Sequence, residues 1–199
     1  MVVGLDFSLD MLRDYPKDKE RPNLNFTNAD AAMLPLEALT FDVVASYATF
    51  EHLTDLEKVL AELDRVLLPG GVLIVIGPNM LSPFHSLKLF LDGMITRKRH
   101  PDGRLTVLFE RVWTLIRKSL TAGFKFEYRQ PLVKDLEYRG SDYDAVCLVN
   151  PIDLKRWAVS MGYRIISLSK GSSLGGRIVS RIFPSFAGGM CFIARKGRN

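Results

Sequence analysis

Residues 54–79 constrain the fold of this 199-residue chain more than any other stretch. Apolar side chains within 54–68 recur at helical spacing and charged side chains fall on the opposite face, which predicts an amphipathic helix. Pro69-Gly70-Gly71 is expected to end that helix, and an uninterrupted apolar run from Val72 to Ile76 follows. A short, wholly apolar strand after an amphipathic helix is typical of a parallel sheet covered by helices on both faces.

Three shorter apolar runs precede this unit and predict further strands of the same sheet. Val2 to Leu5 meets a short helix at Asp6, and two more strands are predicted at 24–29 and 41–46. The first part of the chain therefore has the order β-α-β-loop-β-α-β, which indicates an α/β fold. Ligands of such sheets bind at the carboxyl ends of the strands.

The chain changes character after residue 80 and returns to the strand-and-helix pattern near its end. We therefore expect one domain in three parts: a cofactor-binding part at 1–79, an insertion or substrate lid at 80–150, and a C-terminal part at 151–199. The remaining predicted elements are helices at 84–96, 104–121 and 153–161 and strands at 163–168 and 190–194. Residues 125–150 are expected to be irregular.

The composition is that of an ordinary globular protein with a basic balance, a net charge of +5. Such a balance favours anionic partners without choosing among them. Cys147 and Cys191 lie in apolar runs without a second ligand at metal-binding spacing, so we expect two buried free thiols, no metal site and a reducing cytoplasm. No apolar stretch approaches the roughly 20 residues of a membrane-spanning helix, and residues 1–6 do not resemble a secretory signal.

Asp6 ends the first predicted strand at the sheet edge where ligands bind. Its carboxylate can accept hydrogen bonds from both hydroxyls of a ribose, the role that an acid plays after the second strand of nucleotide-binding sheets. The same carboxylate can instead cap the helix that begins near Ser8. The residues alone leave both interpretations open.

Polar residues also follow the next two predicted strands. Asp30 can accept a hydrogen bond from an adenine amine, or it can form an ordinary Asp turn. Ser46 and Tyr47 lie at the carboxyl end of the third strand. Because the carboxyl ends of parallel strands share one edge of the sheet, we expect Ser46 and Tyr47 to face the same ligand as Asp6.

Two acid and base groups come just beyond this edge. Glu51 and His52 can orient a substrate or accept its proton, or they can be solvated residues at the start of a helix. Asp142 and Asp144 could instead bind the acceptor, but a solvated acidic turn is the preferred interpretation of these two residues.

The order and spacing of these motifs resemble those of the small-molecule methyltransferases of the class I S-adenosylmethionine-dependent superfamily. The similar runs are Val-Gly-Leu-Asp-Phe-Ser, Asn-Ala-Asp-Ala-Ala-Met-Leu-Pro-Leu, Phe-Asp-Val-Val-Ala-Ser, Glu-His-Leu and Leu-Leu-Pro-Gly-Gly-Val-Leu-Ile-Val. The resemblance covers residues 1–79 and resumes at 150–196. It implies a Rossmann-like methyltransferase sheet, mostly parallel with an antiparallel C-terminal strand, and a helical insertion.

The resemblance also implies S-adenosylmethionine as cofactor and methyl transfer to a small-molecule or lipid-like acceptor. It places five residues around the cofactor: Asp6 at the ribose hydroxyls, Phe7 against the adenine ring, Asp30 and the N–H of Ala31 at the adenine edge, and Ser46 near the methionine part. Tyr47, at the same strand end as Ser46, is expected to face the cofactor too. His52 and Glu51 are then the candidates for catalytic residues.

The chain departs from the family pattern at its start. The family begins with a strand and a Gly-x-Gly-x-Gly loop, and this strand lies between those that end here at Asp6 and Ser46; no such loop occurs in the sequence. We therefore expect an N-terminally truncated sheet that closes up, stays gapped or takes a strand from elsewhere. The main alternative function is an inactive remnant or a non-catalytic partner of a complete methyltransferase. A nicotinamide-dependent oxidoreductase, the third alternative, also needs a glycine loop.

Basic side chains outnumber acidic ones in the two predicted helices at 84–121. One interpretation is a lid packed on the core with a solvated basic face. The other is peripheral contact with a membrane surface, where the acceptor would be anionic or lipid-linked. No nucleic-acid-binding motif accompanies the basic charge, so nucleic acid is not an expected partner.

Overall fold

The computed structural model describes residues 1–14, 22–96, 104–131, 145–168, 178 and 181–198. The strands are β1 (Val2–Asp6), β2 (Leu24–Asn28), β3 (Phe41–Tyr47), β4 (Leu67–Pro78), β5 (Arg164–Ser167) and β6 (Gly189–Arg195). The helices are α1 (Leu9–Arg13), α2 (Leu56–Val66), α3 (Pro83–Thr96), α4 (Leu105–Leu120) and α5 (Pro151–Ser160), with short 3-10 helices at Phe50–His52 and Pro184–Phe186. Asp142 and Asp144 lie outside the described residues.

The described strands form two sheets rather than one. β1 pairs with β2 in parallel, and a separate four-stranded sheet has the order β3-β4-β6-β5. β3 and β4 are parallel, whereas β6 runs antiparallel to both β4 and β5, which confirms the predicted antiparallel C-terminal strand. Of the three arrangements expected for the sheet, the described residues have the gapped one, in which β1 and β3 are edge strands of two separate sheets.

The hydrophobic core lies on the four-stranded sheet, between α2 and α5. Leu56 and Leu60 of α2, Leu73 of β4, Leu154 of α5 and Phe192 of β6 are each 1% exposed or less. Burying a side chain of this size contributes about 1.5–3 kcal/mol relative to leaving it in water. The apolar face predicted for the helix at 54–68 is therefore correct. The core holds β3 and β4 in place and so positions their carboxyl ends.

Pro69-Gly70-Gly71 lies inside β4, so the expectation that it separates a helix from a strand starting at Val72 is wrong. The pairing with β3 jumps from Phe41 opposite Leu67 to Val43 opposite Val72, so extra residues bulge out of β4. Gly70 has φ +81°, a conformation that favours glycine. The strand therefore accommodates the turn as a bulge instead of ending there.

In the described residues between the two sheet-forming regions, α3 and α4 are helical and residues 125–131 and 145–150 lie outside helices and strands, as predicted. α3 packs against α4, and an isolated bridge joins Tyr128 to Cys147. The thiol of Cys147 is buried as expected, but Cys191 is only half-buried because it lies on the more open face of β6. In the described part of the chain, no helix combines the length and apolar character needed to cross a bilayer.

Candidate functional site

A cavity of about 460 Å³ lies between β1 and β3, within the size range of small-molecule pockets. Residues 3–6 of β1 form one wall and residues 43–47 of β3 form the other, with α2 residues completing the lining. Four of the predicted site residues line it: Asp6, Ala31, Ser46 and Tyr47. The lining includes mid-strand residues of β1 and β3 as well as the strand ends, and these four predicted site residues border the gap between the two sheets.

Asp6 is half-buried at the end of β1, and its carboxylate already has one local role. Its Oδ1 accepts a hydrogen bond from the N–H of Ser8 at 2.7 Å, while the Ser8 hydroxyl caps α1 by accepting from the Met11 N–H at 3.4 Å. The amide of Asn28 donates to the carbonyl oxygens of Asp6 and Phe7 at 3.0 and 2.8 Å. Hydrogen bonds from Ser8 and from Asn28 at the end of β2 therefore hold the turn at Asp6, which borders the cavity.

Asp30 forms the turn that the residues alone allowed. Its Oδ1 accepts a hydrogen bond from the N–H of Ala32 at 2.8 Å, and the side chain is exposed. Ala31, between them, lines the cavity. Phe7 is 79% exposed and is not among the lining residues.

The carboxyl end of β3 carries the second pair of lining residues. Ser46 is half-buried and Tyr47 is 77% exposed. The next residue, Ala48, has φ +48°, in the left-handed region that is uncommon for residues with a side chain. This turn bends the chain from the edge of the sheet into the 3-10 helix at Phe50–His52, and Phe50 closes the cavity beneath it.

Glu51 and His52 lie beside the cavity rather than in its lining. The carboxylate of Glu51 is 1% exposed, and its Oε1 lies 3.8 Å from Nε2 of His52, whose side chain is 38% exposed. The Glu51 carbonyl accepts hydrogen bonds from the N–H groups of Val146 and Cys147 at 2.8 and 2.9 Å. Glu51 therefore ties the irregular segment to the site, while His52 offers its imidazole to solvent.

Sequence reasoning missed two residues that shape the cavity, Glu62 and Arg65 of α2, which it placed on a solvated helix face. Arg65 donates to the carbonyl oxygens of Leu36 at 2.9 Å and Leu34 at 3.0 Å, and Glu62 Oε2 accepts from the Leu34 N–H at 2.8 Å. Leu34 and Leu36 both line the cavity. The one available signal was an acid three residues before an arginine, which is common on solvated helices too.

The ion pair between these two side chains changes their acid–base properties. The hydrogen bond from Arg65 holds the pKa of the Glu62 carboxyl below its ordinary value, and the Leu34 N–H acts in the same direction. The pKa of Arg65 is raised in turn by the Glu62 carboxylate. Both groups are therefore charged at neutral pH, and the loop at Leu34 and Leu36 is held by charge-assisted hydrogen bonds.

The N-terminal part of the chain is similar to known methyltransferases. Residues 1–75 match the family model described as "Methyltransferase domain". The demethylmenaquinone methyltransferase of Renibacterium salmoninarum is 40% identical over 74 residues, 37% of this chain and 30% of that protein. The malonyl-[acyl-carrier protein] O-methyltransferase 1 of Coxiella burnetii is 34% identical over 103 residues, 51% of this chain and 33% of that protein. The chain thus spans about a third of the length of these curated relatives.

The fold comparison extends beyond the matched residues. An S-adenosylmethionine-dependent methyltransferase from Mesorhizobium loti superposes with a TM-score of 0.56 at 12% identity, over 98% of this chain and 80% of that one. At that identity the likeness concerns the fold alone. Residues 1–75 are therefore similar to a methyltransferase domain, and the chain shares the Rossmann-like fold of the Mesorhizobium loti protein.

Proposed function

We propose that the chain binds S-adenosylmethionine in the cavity between β1 and β3 and transfers its methyl group to a small-molecule or lipid-like acceptor. The observation that carries the proposal is that Asp6 and Ser46, at the ends of two different strands, line one cavity. Two chemically suitable groups from distant parts of the sequence meet there, at the strand ends where α/β sheets bind ligands.

The groups around the cavity suit the parts of this cofactor. The Asp6 carboxylate uses Oδ1 in its turn with Ser8, which leaves Oδ2 and the second lone pair of Oδ1 to accept from ribose hydroxyls. Asp30 and the backbone at Ala31 would hold the adenine edge, with Phe7 available to pack against the ring. Ser46 and Tyr47 would face the methionine part from β3.

The bound cofactor would supply an electrophilic methyl group, which a nucleophilic atom of the acceptor would take by in-line displacement of the sulfur, with S-adenosylhomocysteine as the other product. Asp6, Ser46 and the backbone at Ala31 would hold the cofactor for this step. Holding the two reactants in line supplies much of the rate, because it removes the entropy of bringing them together. An acceptor that is a hydroxyl must also lose a proton, and the His52 imidazole, 3.8 Å from Glu51, would accept it.

The acceptor class rests on the relatives and on the insertion. One relative acts on demethylmenaquinone and another on a malonyl group of acyl-carrier protein, so we propose a small or lipid-like acceptor here. We further propose the three-part division at 1–79, 80–150 and 151–199, with the middle part covering the acceptor.

His52→Ala is expected to slow transfer to a hydroxyl acceptor while leaving cofactor affinity unchanged, since His52 is not a lining residue.

Calorimetric titration of S-adenosylhomocysteine into the chain tests cofactor binding. We expect a micromolar dissociation constant, lost in Asp6→Ala and weakened about tenfold in Asp6→Asn, which keeps the turn to Ser8 but removes the charge. Asp10→Ala is the matched control, because the Asp10 side chain is 88% exposed and forms a surface ion pair with Arg13. Equal affinity in Asp6→Ala and the parent chain would contradict the proposal that this cavity binds the cofactor.

A second candidate function is a non-catalytic partner of a complete methyltransferase. The observation that favours it is the open space between β1 and β3, together with the lack of a Gly-x-Gly-x-Gly run in the sequence. A chain that is folded by circular dichroism and yet gives no heat with S-adenosylhomocysteine would support this candidate over the enzyme.

A further inference from the structure

Helix α4 exposes a continuous apolar stripe to solvent. Its members recur every three or four residues and so share one side of the helix: Leu105, Phe109, Trp113, Ile116 and Leu120. Phe109 is 69% exposed, Trp113 68% and Leu120 83%. Single exposed apolar residues are ordinary, but an aligned stripe that contains two aromatic rings indicates a surface with a binding partner.

The opposite side of α4 holds two basic residues that were expected to be solvated. Arg111 and Lys118 are each 5% exposed, so the expectation of a solvated basic face is wrong for both. Lys118 Nζ donates to Asp153 Oδ2 at 2.7 Å and to the carbonyl of Lys125 at 2.9 Å. These buried bonds fix the rotation of α4, and that rotation is what turns Trp113 and Phe109 outward.

Helix α3, which packs against α4, carries a similar stripe. Its exposed members are again three or four residues apart: Phe84, Leu87, Leu91 and Met94. Phe84 contacts Phe186 with ring centroids 6.4 Å apart, and Phe186 contacts Phe183, which is 58% exposed. We call the exposed apolar residues of α3 and α4 together the apolar face.

The charge around the apolar face identifies the kind of surface that it fits. Lys88 on α3 and Arg104 at the start of α4 are exposed, and the chain carries a net charge of +5. Exposed Asp92 and Glu110 on the same helices balance these two cations. The basic excess belongs to the whole stretch 84–121, whose sequence contains eight Lys and Arg, two of them buried, against three Asp and Glu. Trp, Phe and Leu beside basic side chains are the composition of helices that lie flat in the interface of an anionic bilayer.

We propose that the apolar face docks this protein onto an anionic membrane surface, with α3 and α4 lying in the plane of the interface. α4 has 16 residues, so it is about 24 Å long, too short to span the roughly 30 Å hydrocarbon core. Docking there would set the protein beside lipid-like molecules. Membrane docking does not depend on methyl transfer, and it can be measured without the cofactor.

Binding to lipid vesicles tests the proposal directly. The chain is mixed with vesicles of phosphatidylcholine alone or with 30 mole per cent phosphatidylglycerol added, about a third of the lipid, which supplies the anionic charge. We expect cosedimentation with the anionic vesicles and at least about tenfold weaker association with the neutral ones. Trp113 reports the contact, because the only other tryptophan, Trp157, is 4% exposed: its emission should shift to the blue, and brominated lipid should quench it.

Two variants distinguish binding through the apolar face from non-specific adsorption to lipid. Phe109→Asp removes an exposed ring without touching the core and should lower vesicle affinity about tenfold or more. Val159→Asp, at a 56% exposed position of α5, is the matched control and should bind as the parent does. Thermal unfolding of both variants shows that each is folded.

Three results would overturn the proposal. One is a folded chain that binds neither vesicle, and another is vesicle binding that survives Phe109→Asp or is lost equally in Val159→Asp. The third is a concentration-dependent dimer, seen by light scattering, that Phe109→Asp dissolves while vesicle binding is absent. That last result would assign the apolar face to a second copy of the chain.

Discussion

Arg65 and Glu62 form a two-bond ion pair across one turn of α2, with Nε–Oε1 and Nη2–Oε2 both at 2.8 Å. The same two side chains hold the backbone of Leu34 and Leu36, which lie about thirty residues earlier in the chain and line the cavity. An ion pair on an exposed helix surface usually contributes little to stability. This pair differs because it connects α2 to the loop that lines the candidate site.

Arg65→Ala should therefore affect both stability and ligand binding. The change removes the hydrogen bonds to the Leu34 and Leu36 carbonyls and leaves the Glu62 carboxylate unpaired, so the free energy of unfolding should fall by about 1–2 kcal/mol. S-adenosylhomocysteine should also bind more weakly. Urea unfolding and calorimetry measure the two effects. Lys58→Ala, an exposed cation on the same helix, should change the unfolding free energy by less than about 0.5 kcal/mol; a similar loss in both variants would contradict the role of the pair.

The Glu62 carboxylate makes this stabilisation dependent on pH. Its pKa in the folded chain lies below the ordinary 4.5 because Arg65 hydrogen-bonds the charged form. A depressed folded pKa contributes stability above the unfolded pKa, and that contribution is lost as the pH falls through the folded pKa. The stability gap between the parent and Glu62→Gln should thus be constant from pH 7 to about pH 5 and shrink below 4.5. A gap that persists unchanged to pH 3, measured by urea unfolding, would contradict this.

Much of the architecture could be predicted from local pattern. The helix predicted at 54–68 is Leu56–Val66, because its apolar spacing matches the core that it packs on. The strand predicted at 41–46 is Phe41–Tyr47, since short apolar runs between turns leave few other choices. Local pattern failed at Gly70, where pairing with a distant strand outweighed the preference of Pro-Gly-Gly to end an element.

The candidate site was only partly predictable for the same physical reason. Asp6 and Ser46 stand at strand ends, so the chain order alone indicates that they converge. The burial of Lys118 depends on Asp153, 35 residues later, and the loop contacts of Arg65 depend on Leu34, 31 residues earlier. Helical periodicity describes the neighbours of a residue on its own helix and carries no information about such partners.

The buried thiol of Cys147 should be inert in the folded chain. Burial raises the pKa of this thiol to about 12, and the nearby carboxylates of Asp153 and Glu51 act in the same direction. Since the thiolate is the reactive form, Cys147 should resist a thiol reagent such as dithionitrobenzoate at pH 8. In Cys191→Ser, where Cys147 is the remaining cysteine, we expect labelling only after denaturant is added. Rapid labelling of that variant without denaturant would show that the segment around Cys147 opens readily.

The pair between Lys118 and Asp153 should be the most costly single interaction to break in the helical part. Asp153 is 1% exposed, and its Oδ2 accepts from Lys118 Nζ at 2.7 Å and from the Asn150 amide at 2.8 Å. Lys118→Met leaves that carboxylate buried without its cation, which should lower the free energy of unfolding by about 3–5 kcal/mol. Lys155→Met, an exposed lysine on α5, is the matched control and should change the unfolding free energy by less than about 0.5 kcal/mol.

The double variant Lys118→Met with Asp153→Asn decides whether the unpaired charge causes the loss. Asparagine keeps an acceptor for the Asn150 amide but carries no charge, so nothing ionised is left buried without a partner. The double variant should therefore be more stable than Lys118→Met alone, by about 1–2 kcal/mol in urea unfolding. A double variant that loses the sum of the two single losses would mean that the pair acts through packing.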